Sequence, residues 1–324
     1  MATAHQSRVL RIIEIVLFVG LLAGFFVYVP FQRVFEAVRG TIPSYFWISI
    51  LLALPSTYLD SIQLLILVRR QGIRTPLVKL FEINCVIRFY SFFSPVSTIG
   101  SVMRWYKLSG EGKSTEALTA LAVNRLFDTF IAVAFGVFWL VGDLKHSLIR
   151  PAAFIVLLLI IFVAWLIATR FSPPVLGSLK TVSDSRFPML KKAANYLDKL
   201  SATLKVYSRF SPLELLVLVT VGLSGELLNL LAYYLLIQSL KIPVPFTELG
   251  WMRSVFFLAS LIPFTLAGGL GLREVSVVVL MSAFGIQADL AGAFAFLLYV
   301  RSVIVSLSGG VLELISFLPA KRLT

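Results

Sequence analysis

A chain of 324 residues would make two or three soluble domains by length, but 58% of its residues are hydrophobic and only 14% charged. Soluble domains sit near 45–50% and about 25%, so there are too few charges to coat a water-soluble globule. Mean hydropathy is +0.92, and the apolar residues fall in runs of roughly 17–25, the length that crosses a bilayer core of ~30 Å. The reading is an all-α integral membrane protein. A disulfide scaffold is excluded because Cys85 is the one cysteine. The net charge of +13 would suggest nucleic acid in a soluble protein; here basic cytoplasmic loops account for it, and no nucleic-acid partner is expected.

The first predicted span covers about 12–29, entered past Arg8 and Arg11. It runs into Pro30-Phe31-Gln32-Arg33 without a small-x-small cleavage site, so it reads as a retained signal anchor. A second span covers roughly 45–68, with a tolerated Pro55 and a polar Asp60, and is followed by a basic loop of Arg69, Arg70, Arg74 and Lys79. Further spans are predicted at about 117–140, 152–168, 213–237 and 290–318. Between 170 and 209 the chain is polar and rich in lysine. Leu190, Ala193, Ala194, Leu197, Leu200 and Leu204 recur there at helical spacing. That pattern fits an amphipathic helix on an anionic leaflet or a solvated linker.

Counting Lys and Arg in the loops puts both termini in the cytoplasm, together with the loops at 69–79, 104–116 and 170–209. The other face receives only Arg33, Arg39, Lys145, Arg150 and Lys241. The expected location is a cell (cytoplasmic) membrane.

Two apolar regions are interrupted. Residues 80–105 break at Ser94-Pro95 through Gly100, and residues 249–285 break between Pro263 and Gly271. Each half is too short to cross comfortably, so both regions read as re-entrant hairpins, the alternative being kinked spans. The breaks also resemble each other: Pro95, Gly100, Arg104 and Arg125 in the first are echoed by Pro263, Gly269, Arg273 and Arg301 in the second. With opposite predicted entry sides, this is the pattern of an inverted-topology repeat. The expected organisation is one membrane domain, with a first half at 1–169, the basic loop at 170–209 and a second half at 210–324.

A charge at the centre of a membrane helix costs at least ~2.5–3.5 kcal/mol, so each needs a partner or a wet path. Asp60, Glu82, Arg88, Arg104, Arg125, Asp128, Glu226, Arg253, Arg273, Glu274 and Arg301 are the charges concerned. Arg125 and Asp128, three apart on one helix, can pair. Arg88 and Glu82 can snorkel near one face. Arg273 and Arg301 exceed what Glu274 alone neutralises, and Glu226 is the remaining acid at hand. Two readings stand: a cavity with surplus arginine suited to a phosphate, or buried ion pairs. Gly268, Gly269 and Gly271, ahead of a predicted helix start at Leu272, would add backbone N–H donors and a positive helix end. Substrate contact is therefore assigned to Arg104, Arg125, Gly268, Gly269, Gly271, Arg273, Glu274 and Arg301. Structural or coupling roles go to Asp60, Asp128 and Glu226.

Other chemistries fail on spacing. His5 and His146 are the only histidines, so no histidine metal cluster forms, and no cofactor is expected. Gly112-Lys113-Ser114 mimics the end of a P-loop, but the upstream glycine position is Lys107. Gly222-Leu223-Ser224-Gly225 misses a nucleophile elbow because Glu226 occupies the second glycine position.

Ser94-Pro95 through Gly100 and Arg104, Asn124-Arg125-Leu126-Phe127-Asp128, Gly268-Gly269-Leu270-Gly271-Leu272-Arg273-Glu274 and the late Arg301 together resemble the lysylphosphatidylglycerol synthase/flippase transmembrane family. Gly-Gly-x-Gly-x-Arg-Glu is the most specific of these motifs, and the likeness spans nearly the whole chain. Where that family carries an acid ahead of the first arginine, this chain has Asn124, leaving Asp128 as the partner of Arg125. The resemblance implies movement of a lipid between leaflets. It also implies no lysyl transfer from tRNA, because no aminoacyl transferase domain lies within these residues. The expected activity is translocation of an anionic, phosphate-bearing lipid. The competing classes are an enzyme modifying lipid head groups, with Asp60, Asp128, Glu226 or Glu274 as acid or base, and a non-transporting accessory subunit.

Overall fold

The computed structural model describes residues 41–93, 98–142, 203, 205–261 and 272–317. The predicted spans at 12–29 and 152–168, nearly all of the basic loop, the second break and residues 94–97 of the first lie outside them, while 98–100, expected within the first break, are helical. Among the described residues every regular element is helical, and the chain is an all-α membrane protein.

Helices α1 (Pro43–Leu51) and α2 (Ala53–Arg70) occupy the second predicted span. They are separated at Leu52, where one uninterrupted span was expected. Pro55 explains the break: it has no N–H for the Leu51 carbonyl four residues back, and its ring crowds that carbonyl. α2 stops at Gln71 and Gly72, the latter at φ 73°, a left-handed turn that glycine adopts freely. α3 (Leu77–Phe93) and α4 (Thr98–Leu108) flank the first break, and α5 (Ser114–Gly142) follows. α6 (Pro212–Ser239) starts with a capping box, in which Ser211 and Glu214 bond each other's backbone N–H, and with Pro212 in the first turn. Arg70 pairs with Glu214, tying the end of α2 to the start of α6. α7 (Phe246–Ser260) and α8 (Leu272–Ala283) flank the second break, and α9 (Ala288–Phe317) closes the bundle. The stretches Pro43–Arg70, Ser114–Leu140, Pro212–Ser239 and Leu290–Phe317 are long and apolar enough to cross a membrane.

The helices flanking each break fold back on each other. Arg104 on α4 reaches Asn84 on α3, and Trp251 at the start of α7 meets Phe284 just past α8, ring centroids 5.2 Å apart. Gly100 lies so close to Ser91 that a Cβ there would strike its side chain. In a continuous helix those residues would be about 13 Å apart along the axis, so the segment is a helical hairpin. With 11 and 12 residues, α4 and α8 reach only about 16–18 Å, short of a ~30 Å core.

The packing is reciprocal. α3 docks on α9, α7 docks on α5, and α2 crosses α6. The first helix of each hairpin thus packs on the long helix that follows the other hairpin. Small residues permit this: Gly250 faces the Trp139 ring, and Gly309 faces the Cys85 carbonyl so closely that any Cβ would collide with it. Gly309→Val is therefore expected to lose at least about 1–3 kcal/mol, because a backbone carbonyl cannot swing aside. Gly292→Ala, on the same helix with nothing within 4 Å of its Cβ, is expected to be neutral or slightly stabilising. Thermal unfolding in detergent compares the two.

Two large apolar cores result. One gathers Leu64, Leu67, Leu80, Val123, Ile131 and Leu218. The other gathers Phe46, Leu230, Leu236, Phe256, Phe294 and Leu298. Along α6, Leu218 lies in the first core and Leu230 in the second, with Glu226 between them. The charges collect where the two cores meet.

Candidate functional site

That meeting layer is built from α2, α3, α4, α5, α6, α7, α8 and α9. Asp60 on α2 accepts from Arg88 on α3 at 3.3 Å. Glu226 on α6 is ion-paired to Arg253 on α7, whose guanidinium also lies over the Tyr233 ring, 5.9 Å from its centroid. Both pairs join a spanning helix to the first helix of the hairpin that follows it. α2 and α6 meet here: a Cβ on Gly225, the neighbour of Glu226, would sit 3.7 Å from Asp60 Oδ1.

Arg104 is held from below by an amide chain. Its Nη2 donates to Asn84 Oδ1 at 2.6 Å, Asn84 Nδ2 donates to Ser61 Oγ at 2.8 Å, and Ser61 donates to the Thr57 carbonyl at 2.7 Å. Its buried Nε has no hydrogen-bond partner among the described residues. Asp128 accepts from Gln63 Nε2 at 2.6 Å and from Asn124 Nδ2 at 2.8 Å, which clamps α5 to α2. Arg125 lies over Phe257, 5.6 Å from the ring centroid. Arg301, 8% exposed, donates its Nε to the Ser49 carbonyl at 3.0 Å. Arg273 Nη2 lies 3.5 Å from Ser302 Oγ.

These groups form one electrostatic set. Asp60 interacts with Arg88, Arg104 and Arg253; Asp128 with Asp60, Arg104 and Arg125; Arg301 with Arg88 and Arg273. Among the described side chains, the arginines at 88, 104, 125, 253 and 301 thus outnumber the carboxylates of Asp60, Asp128 and Glu226. The Asp60 side chain is 48% accessible and that of Arg88 31%, so this pair is reachable from outside the packed helices. A separate open cavity of about 560 Å³ sits at the α2–α3 turn, lined by Arg69, Gly72, Ile73, Arg74, Thr75 and Pro76. It lies nine residues along α2 from Asp60, about 13 Å, and the charged set does not line it.

The sequence candidates Asp60, Arg104, Arg125, Asp128, Glu226, Arg273 and Arg301 are therefore brought together. Gly268, Gly269 and Gly271, with the Glu274 side chain, lie outside the described residues. Three pairings differ from the sequence reading. Asp128 is hydrogen-bonded by amides, with Arg125 turned to an aromatic face. Glu226 belongs to Arg253, and Arg301 binds a backbone carbonyl. Arg88 does not snorkel, because Asp60 holds it; Glu82 pairs with Lys79 at 2.6 Å.

Arg88 and Arg253 stood in the sequence only as isolated charges. The signal that finds them is separation: Asp60 precedes Arg88 by 28 residues and Glu226 precedes Arg253 by 27. Glu313 was also missed. It is 1% exposed and accepts from Lys107 Nζ at 2.9 Å and from the Tyr90 hydroxyl at 3.0 Å, locking the end of α9 onto the first hairpin. Among the described residues, no group of three or more His, Cys, Asp or Glu is placed to hold a metal ion.

Comparison with curated proteins and with solved structures gives no match. The sequence description of the lysylphosphatidylglycerol synthase TM region, in contrast, matches residues 11–309. With a match over almost its whole length, this all-helical membrane chain belongs to the lysylphosphatidylglycerol synthase transmembrane-region family.

Proposed function

We propose that this protein moves an anionic, phosphate-bearing lipid between leaflets, without ATPase activity of its own. The observation that carries the reading is the cluster of arginines gathered between the spanning helices and the hairpins. Among the described residues arginines outnumber carboxylates there, and Arg104 keeps a buried Nε donor without a partner among them. An uncompensated cation in a membrane is costly, and an orphan buried donor asks for an acceptor. A lipid phosphate answers both, since its oxygens match the planar guanidinium fork.

The reciprocal packing supports an inverted repeat. Each half contributes an acid on a spanning helix, an arginine on the first hairpin helix, another on the second, and a third on the closing helix. In this reading both hairpins are re-entrant, the substrate sits between them, and both termini face the cytoplasm. A head-group enzyme would need a carboxyl free to take a proton from its substrate. Glu226 is occupied by Arg253 and Asp128 by two amides, which favours transport.

Reconstitution into phosphatidylcholine vesicles carrying fluorescent phosphatidylglycerol tests this. The expected result is leaflet exchange of the anionic probe faster than of a labelled phosphatidylcholine, with both lipids chemically unchanged by mass spectrometry. A modified head group would point to an enzyme instead, and no exchange above protein-free vesicles would refute transport.

A further inference from the structure

The two acid–arginine pairs occupy equivalent places, yet they are unequally covered. Asp60 and Arg88 side chains are 48% and 31% accessible, whereas Glu226 and Arg253 are 12% and 7% accessible. We propose that Asp60–Arg88 and Glu226–Arg253 are the two gates of one path and open in turn, the described state having both pairs formed, the first accessible and the second covered. This rests on the transport reading and adds to it how access alternates.

Three observations link the gates. Each pair spans the same kind of joint, a spanning helix to the first helix of the next hairpin. The α2–α6 crossing sets Gly225, the neighbour of Glu226, against Asp60. Electrostatic interaction also crosses between the halves, from Asp60 to Arg253 and from Arg88 to Arg301. The second gate, on opening, therefore keeps one distant counter-charge for Arg253 and needs a further anion to offset the rest. Arg253, on leaving Glu226, still feels the Asp60 carboxylate. A guanidinium released from its acid is also available to a phosphate, so an anionic head group favours the open form of whichever gate it meets. That differential contact is what lets a ligand shift such an equilibrium.

The test uses two reporters in a Cys85→Ser background. Ser91→Cys stands three residues beyond Arg88 and is exposed, and Ser254→Cys is adjacent to Arg253 and fully buried. Modification rates with a hydrophilic cationic thiol reagent are followed on purified, monodisperse protein. With both pairs intact, Cys at 91 is expected to react at least about tenfold faster than Cys at 254. Adding Glu226→Gln should speed the reaction at 254 by about tenfold or more and slow it at 91, since weakening one state's contact moves the population to the other. Arg253→Lys should act in the same direction with smaller amplitude, which keeps the test alive if Glu226→Gln folds poorly. Asp60→Asn should leave 254 protected.

Rates rising together at both positions would mean simple loosening and would overturn the two-gate scheme, as would no change at either. The vesicle assay separates this from the transport reading. Reciprocal reactivity without lipid exchange would refute transport and leave the gates; normal lipid exchange without reciprocity would refute the gates alone.

Discussion

Glu226→Ala is expected to be among the most destabilising single changes in the bundle, at about 3–5 kcal/mol. Its partner Arg253 is 6% exposed, so water cannot replace the lost carboxylate. What remains to the guanidinium is the face of Tyr233 and a more distant attraction to Asp60. A cation–π contact supplies roughly 0.5–2 kcal/mol, too little to offset a stranded charge. The double variant Glu226→Leu with Arg253→Met should recover most of the loss, because replacing a whole buried pair by apolar groups is often neutral or better. Asp60→Ala makes the internal contrast. That pair is far less covered, so its loss should cost clearly less than that of the buried pair. Thermal unfolding of all four proteins in one detergent orders them. Equal losses at Asp60 and Glu226 would contradict the unequal burial, and recovery by Arg301→Ala in place of Arg253→Met would mean that Glu226 serves Arg301 instead.

The long helices were legible because continuous apolar runs set their length. The expected 117–140, 213–237 and 290–318 came out as Ser114–Gly142, Pro212–Ser239 and Ala288–Phe317. Ends moved by a turn or less at most boundaries, since capping such as Ser211–Glu214 lies just outside the apolar stretch. The hairpins were legible for a related reason. Proline and glycine interrupt apolar segments too short to be split into two spans. Pro55 was passed over because its neighbours are uniformly apolar; hydropathy does not register a lost N–H. Partners within the site were the least readable. Helical periodicity finds neighbours three or four apart, which suggested Arg125 with Asp128 and nothing for Arg253. The realised pairs are 28 and 27 residues apart and depend on how each hairpin folds back. Gln63, Asn84 and Asn124 were invisible as site residues because amides carry no charge to be accounted for, yet they hold Asp128 and Arg104 in place.

Arg104→Lys should slow lipid exchange about 10- to 100-fold while leaving the fold nearly as stable as before. The expectation follows from how the guanidinium is held. One edge is fixed: Nη2 donates to Asn84, which is itself anchored through Ser61 to the backbone of α2. The other edge has an Nε donor without a partner among the described residues, so the side chain can grip Asn84 and an anion together. Lysine keeps the positive charge beside Asp60 and Asp128, which preserves the electrostatic balance of the layer. It has no Nε and no planar fork, so a single ammonium must choose between Asn84 and the phosphate. A hydrogen bond to a charged group is worth about 1.5–3 kcal/mol, which converts to roughly 10- to 100-fold in binding at 1.4 kcal/mol per decade. The effect should appear with the anionic probe and be weaker with phosphatidylcholine. Lys79→Arg, at an exposed pair with Glu82 outside the arginine cluster, serves as the control and should exchange lipid normally. Wild-type exchange by Arg104→Lys would reduce Arg104 to a structural tie between α3 and α4. A large fall in thermal stability with Arg104→Lys would point the same way, because a substrate contact can be weakened without unseating the helix that carries it.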